Sequence, residues 1–353
     1  MTIDPLEVQV DGGADTPAPR VRDRRTPPDD VFPEPTAGMV LHRALAMAAR
    51  TFLLNDLGDE LDDERRRSGT VDALHVAMGT RPLWAQSAAD SLKGTERRPG
   101  GVERIHQTRV AMRRIRSNLR TFRLLLDPGW GTKLRAELAW YGSELGRSRD
   151  LDRLAAVVAD RGPGVLDATE LARLGSVIAW RHGQVAADLA ADRAGPRHFQ
   201  LTEQMMVLWE GPAFKAKAAR PATEVLPAML HRSWRDVRGV ARTARKDPSD
   251  AHLHQLRIRL KDLRYGAETV ALVEGGPARK VAKSAESLQS KLGDLHDAVF
   301  AIGWLEALAV EQPDLADAAQ QLVAVERDAA DRARKGWKRD LKDLERRWRR
   351  WQG

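Results

Sequence analysis

HQTRVAMRRIR, residues 106–116, sets one histidine and four arginines in eleven positions with no acid among them. Three readings fit such a set. Histidine exchanges a proton near neutral pH and is a common metal ligand. Arginine holds phosphate through paired, charge-assisted hydrogen bonds. An ordinary solvated helix face needs neither role. The metal and base readings are weak. A histidine crowded by guanidinium groups is poorly placed to hold a cation, and the stretch carries no carboxylate to orient the ring.

The stretch has a partner. HQLRIRLKDLRY, residues 254–265, repeats it at an offset of 148, so that His106 falls on His254, Arg109 on Arg257, Arg113 on Lys261 and Arg116 on Arg264. The apolar positions Ile105, Met112, Ile115 and Phe122 fall on Leu253, Leu260, Leu263 and Val270. Downstream, LGRSRD (145–150) aligns with LGDLHD (292–297) at an offset of 147. Two matches in the same order imply a duplicated helical unit.

Each helical residue advances about 100°. Positions 105, 108, 112, 115, 119 and 122 then form one narrow stripe that packs into a helical bundle. His106, Arg109, Arg113, Arg116 and Arg120 form a second, centred only about 100° from the first. A solvated face would centre opposite the core, where only Arg114 points. The basic stripe instead borders the buried seam, at the mouth of a groove between helices. In the second copy Glu268 stands in the place of Arg120, so that stripe is shorter and acidic at one end. Like charges at helical spacing cost roughly 0.2–0.5 kcal/mol per pair. Helix stability therefore does not explain the pattern, and a bound polyanion does.

Helices must position these residues, and the chain is built to supply them. Of its 353 residues 42% are hydrophobic and 31% charged, which allows a sizeable core under a charged surface. Apolar residues recur at helical spacing from Met39, and from Val102 onward almost everything reads as helix. The breaks fall at DPGWG (127–131), RGPG (161–164), RAGP (193–196), EGP (210–212), RP (220–221), KDPSD (246–250), EGGP (274–277) and QPD (311–313). No alternating strand pattern appears, so the fold class is all-α. Residues 1–38 hold seven prolines and read as a disordered tail. A further helix is expected over 71–92 and one long basic helix over 314–351. Trp130, Trp140, Trp180, Trp209, Trp234 and Trp304 are assigned to the core or to turns. The net charge of +8 favours polyanionic partners. The absence of cysteine excludes disulfides, thiol catalysis and zinc–thiolate sites. No apolar run reaches the ~20 residues of a membrane span, so a cytoplasmic protein is expected.

HQTRVAMRRIRSNLRTF and LHQLRIRLKDLRYGAE, each followed by an LG…D element, resemble the CHAD family, the conserved histidine α-helical domain. The resemblance covers roughly Met39 to the C-terminus. It implies two similar four-helix bundles about a pseudo-twofold axis, halves of about 39–210 and 211–353, and a basic central channel. It implies binding of inorganic polyphosphate without catalysis, and in some members localisation to polyphosphate granules. Some members carry a triphosphate-tunnel (CYTH) domain, which is not expected here because only a 38-residue tail precedes the first helix. Carried over by position, the binding residues are His106, Arg109, Arg113, Arg116 and Arg120 in the first copy. In the second they are His254, Arg257, Lys261, Arg264 and Tyr265. Arg43, Arg50, Arg235, Arg238, Arg242, Lys280, Lys283 and Lys291, on neighbouring helices, are further candidates for the lining. The segment 56–104 reads as an insertion.

Other motifs carry less. RHG (181–183) matches the nucleophile motif of histidine phosphatases but lies inside a helical segment rather than after a strand. DELDD (59–63) has the wrong spacing for a diphosphate-binding aspartate pair. Asp150 and Asp297 are expected to cap helices or to orient a neighbouring arginine. Residues 332–350 carry ten Lys/Arg against three acids, with Trp337, Trp348 and Trp351 interleaved. This end is read as a terminal helix burying its tryptophans. The alternative function is nucleic-acid binding through the same basic surface and this helix. No metal or organic cofactor is expected.

Bound phosphate favours protonated histidine, so polyanion affinity rises as pH falls through the histidine range. Titrations at pH 6 and pH 8 that return equal affinity overturn this.

Overall fold

The computed structural model describes residues 34–57 and 101–352. Most of the expected tail (1–33), the DELDD run, the helix expected over 71–92 and most of the 56–104 segment lie outside these residues. Helix α1 (Ala37–Asp56) starts where the Thr36 side chain accepts a hydrogen bond from the Met39 amide. Residues 35–38, read from sequence as part of the tail, belong to the fold. Ala37 N–H donates to the Arg220 carbonyl and Ala222 N–H to the Pro35 carbonyl, both at 2.9 Å, which ties residues 35–38 into the fold.

Helix α2 spans Gly101–Thr121, α3 Pro128–Arg161, α4 Ala168–Ala194 and α5 Pro196–Glu210. They are followed by α6 (Ala222–Lys246), α7 (Asp250–Glu274), α8 (Gly276–Glu311), α9 (Ala316–Arg334) and α10 (Trp337–Gln352). The local chemistry explains the starts. Asp127 caps α3 through the Trp130 amide at 2.8 Å, with Pro128 in the first turn. Asp167 and Glu170 form a reciprocal capping box on α4. Every expected Pro/Gly break separates two helices. Among the described residues there is no strand.

Three expectations need correction. The helix expected over 314–351 is two, because Gly336 takes φ +86°, a left-handed conformation that glycine adopts without a Cβ clash. The turn there lets α10 lay Trp337, Leu341, Leu344 and Trp348 into the core. Trp180 is not core but 66% exposed. Helix α1 is long and apolar enough to cross a membrane, contrary to the sequence expectation. Its Leu41, Leu45, Phe52 and Leu53 are instead buried in the protein core.

The main core is continuous from α1 to α10, and a second cluster joins the far ends of α3 and α8 to α4 and α9. Helices α3 and α8, of 34 and 36 residues, reach both cores. Helix α2 packs on α1, α3 and α7, while α7 packs on α2, α6 and α8. The α2–α7 crossing is close. A Cβ on Gly266 would stand 2.8 Å from Leu230 Cδ1 and 3.1 Å from Thr121 Cγ2. Thr269 Oγ1 donates to Asn118 Oδ1 across this crossing at 2.8 Å.

One buried carboxylate gathers four helices. Asp56 of α1 accepts from Tyr141 Oη of α3 at 2.6 Å and from Arg193 of α4 at 3.0 Å, and meets His198 Nε2 of α5 at 2.6 Å. Burial opposes its ionisation, but the His198 bond and the Arg193 charge outweigh burial and hold its carboxyl below the usual range. Its contribution to stability is therefore present above about pH 4, near the unfolded value, and is lost as pH falls through the lower folded value. Asp56→Ala, which strands Arg193, is expected to cost about 3 kcal/mol or more in guanidinium denaturation at pH 7. Asp56→Asn is expected to flatten the acid limb of the stability profile.

Candidate functional site: a cation-lined cavity

The predicted stripe on α2 forms as expected. Met112, Ile115, Leu119 and Phe122 are buried in the main core. The adjacent stripe, Arg109, Arg113, Arg116 and Arg120, lines a cavity of about 380 Å³ between α2, α3, α7 and α8. Helix α7 adds His254, Arg257 and Lys261 from the other side. Seven of the ten primary sequence candidates thus share one wall system.

The repeated LG element explains how two of these arginines are seated. A Cβ on Gly146 of α3 would lie 2.9 Å from Arg109 Nη1, and a Cβ on Gly293 of α8 would lie 3.6 Å from Arg257 Nε. Gly146 makes room for the Arg109 guanidinium, and Gly293 brings Arg257 to ordinary van der Waals distance. Arg109 also donates to the Gly142 carbonyl at 2.9 Å. The aspartates of the same elements meet on one arginine. Arg153 Nη1 lies 2.9 Å from Asp297 Oδ1 and 3.5 Å from Asp150 Oδ1. Orienting an arginine, the expected role, is what both do.

Three cavity residues were not anticipated: Arg135 and Arg153 of α3, and His296 of α8. Signals for them existed. Arg153 follows Asp150 by one turn, and His296 sits inside the repeated LGDLHD. Arg135 shares a helical face with Leu138, Gly142 and Gly146. Asp262, beside Lys261, is the remaining surprise. It faces Arg120 at 3.4 Å and Arg259 at 3.8 Å and accepts from Ser117 Oγ at 3.1 Å.

The other candidates lie elsewhere. His106 is half-buried near the start of α2 and does not line the cavity. Arg264 is drawn away by Glu286 of α8 at 2.6 Å and by Glu268 at 3.0 Å, the acidic end of the second stripe. Tyr265 is buried on another side of α7, with the guanidinium groups of Arg264 and Arg114 at 5.1 and 5.8 Å from its ring centre. Arg43 and Arg50 stay on α1. Arg235 and Arg238 face a groove between α6 and α10, and Arg242 is exposed farther along α6. Lys280 and Lys283 are exposed, and Lys291 pairs with Asp340 at 2.5 Å. In RHG, Arg181 pairs with Glu311 and His182 with Asp152, both from within α4.

Among the described residues, eight cationic side chains and two carboxylates line the cavity. Their mutual repulsion is written in their proton affinities. Burial, then Arg257, Arg113, Arg109 and Arg116, pull the Lys261 amine down to about 7. Burial, then Arg257, His254 and Lys261, bring His296 down to about 4. Burial and Arg113 lower Arg109 to about 10. His254 is lowered by burial and by Arg257 and Lys261; its ring stands 4.6 Å from that of His296, and its Nδ1 is buried without a hydrogen-bond partner. His106 is lowered too, by burial and by Arg113, Arg149 and Arg109 against the opposing charge of Glu103. Asp150 and Asp297 are raised by burial despite Arg153. The site carries positive potential in excess of its acids, a setting that takes up an anion.

The Lys261 side chain is expected to titrate near pH 7 when followed by NMR at its Cε. Arg113→Ala removes one repelling charge and is expected to raise that value; an unchanged or lower value counts against the charge-crowded cavity.

Comparisons with known proteins agree with this architecture. The CHAD domain family model matches residues 84–306. No curated protein matches. Among solved structures, PptA from Streptomyces chartreusis superposes with a TM-score of 0.64 at 21% identity, covering 87% of this chain and 99% of that one. The crystal structure of the CHAD domain from the plant Ricinus communis superposes with a TM-score of 0.60 at 21% identity, covering 88% and 92%. With more than half of its length matched by the family model, and with paired basic helices seated on repeated LG elements, the chain belongs to the CHAD domain family.

Proposed function

We propose that the chain binds inorganic polyphosphate in the cavity between α2, α3, α7 and α8 and does no chemistry on it. The observation that carries this reading is the excess of cations over acids there: among the described residues, eight against two carboxylates, in one cavity between packed helices. Arginine forks from α2 and α7 can hold successive phosphates from two sides. Binding proceeds by multivalent charge neutralisation with release of counterions, so affinity falls steeply with salt. On this reading the protein is a cytoplasmic binder that can be held at polyphosphate granules.

The rival is nucleic-acid binding through the outer basic surface and α10. It is weakened by the burial of Trp337 and Trp348, whose rings are occupied by the core rather than free to stack on bases. Trp348 already stacks on Trp234 at 4.8 Å. A cavity of about 380 Å³ between packed helices suits a bare phosphate chain better than a duplex.

Competitive binding of long-chain polyphosphate against DNA and RNA, at matched phosphate and salt, decides between the two. Polyphosphate is expected to win, and preference for DNA overturns the reading. Arg113→Glu with Lys261→Glu is expected to weaken polyphosphate binding by about a hundredfold or more, with helicity by circular dichroism unchanged. Shortening of the polymer on incubation with divalent metal removes the non-catalytic part of the proposal.

A further inference from the structure

Among the lysines, Lys261 occupies a place of its own. It lines the cation-rich cavity, and no other lysine among the described residues does. The charged groups acting most strongly on it are the arginines Arg257, Arg113, Arg109 and Arg116. Neither carboxylate of the lining is free to neutralise it. Asp150 faces Arg153, and Asp262 faces Arg120 and Arg259. The two imidazoles of the lining, His254 and His296, are themselves held toward the neutral form. A primary amine thus stands beside a seat for phosphate.

We propose that Lys261 is an acylation site: the arginines of the cavity hold the phosphate of a small acyl phosphate, and Lys261 Nζ takes the acyl group. The inference deepens the polyphosphate reading, since it rests on the same cavity holding phosphate.

The chemistry balances without a further reactant. The neutral amine attacks the acyl carbon, a C–N bond forms, and the C–O bond to phosphate breaks. Inorganic phosphate leaves with the electron pair, and the proton lost from nitrogen goes to the phosphate or to water. Nucleophilic lysines need the neutral amine, which burial and neighbouring cations favour. With its amine brought down to about 7, about half of Lys261 is neutral at pH 7, against about one in 2,500 for an ordinary lysine. The arriving phosphate works in the opposite direction, but the arginines that seat it already neutralise its charge. The product amide carries no charge. Acylation therefore removes one cation from the centre of the cavity, which is a means of weakening polyanion binding.

The test is incubation of the full chain with acetyl phosphate at pH 6, 7 and 8.5, with acetylation followed at each lysine by peptide mass spectrometry. At pH 7 Lys261 is expected to react about tenfold or more faster than the exposed Lys280 and Lys283. Its rate is expected to level off above about pH 8 while theirs keep climbing. With acetic anhydride, which offers no phosphate, the advantage is expected to shrink several-fold. A rate at Lys261 no higher than at Lys280, or an equal advantage with both reagents, overturns the proposal. Long-chain polyphosphate is expected to slow Lys261 alone. Fast acetylation that polyphosphate does not slow upholds the acyl-phosphate site and removes polyphosphate as its occupant. Direct polyphosphate binding without fast acetylation keeps the polyphosphate reading and overturns this one.

Discussion

Everything in this fold is arranged around a repulsion. Helices α2 and α7 bring their cationic stripes to the same cavity, and the two carboxylates that join them are already paired with arginines. Within the cavity, Asp262 of α7 favours this approach through Arg120 and Ser117 of α2, but it is one carboxylate against many cations. What holds the helices there is the apolar stripe next to each cationic one: Met112, Ile115 and Leu119 on α2, Leu256, Leu260 and Leu263 on α7, all buried in one core. Burying a side chain of this size is worth about 1.5–3 kcal/mol, against roughly 0.2–0.5 kcal/mol for a like-charge pair along a helix. The core wins by number and by size, and the cavity keeps its unspent charge.

The same repulsion explains the site's chemistry. Removing water from a cation disfavours its charge, and so does a neighbouring cation. In the cavity both act together, and the groups able to give up a proton do so first. Lys261 and His296 move farthest toward the neutral form, while the arginines, with their much higher intrinsic basicity, stay charged. The site therefore separates its residues into permanent cations and adjustable ones, although sequence spacing places Lys261 in the same stripe as Arg257.

Much of this could be read from the chain, for a physical reason. Helical period is local, so the stripe on α2, its angle to the core and most of its counterpart on α7 follow from spacing alone. What spacing cannot supply is the identity of the helix opposite. Arg135, Arg153 and His296 enter the cavity because α3 and α8 pack there. Arg264 leaves it because Glu286, twenty-two positions away, lies within 2.6 Å. The break at Gly336 has a similar cause: an isolated glycine without a proline gives a weak local signal, and its left-handed turn matters because α10 must fold back to bury Trp337 and Trp348. The LG elements were legible only in part. Their repeat was visible, but a glycine that receives a guanidinium from another helix is recognisable only once that helix is in place.

Arg153 has a consequence for how the protein can be divided. Its guanidinium serves both Asp150, from the first LG element, and Asp297, from the second. Nothing else in the lining duplicates it, since the position one repeat later is Phe300. Separating the segments before and after the α5–α6 connection would leave Asp297 with no arginine from α3 and would split a hydrophobic core shared by both. The repeat is a pattern of sequence, but the unit of folding is the pair. Neither repeat can serve as an autonomous module, however complete its own motif.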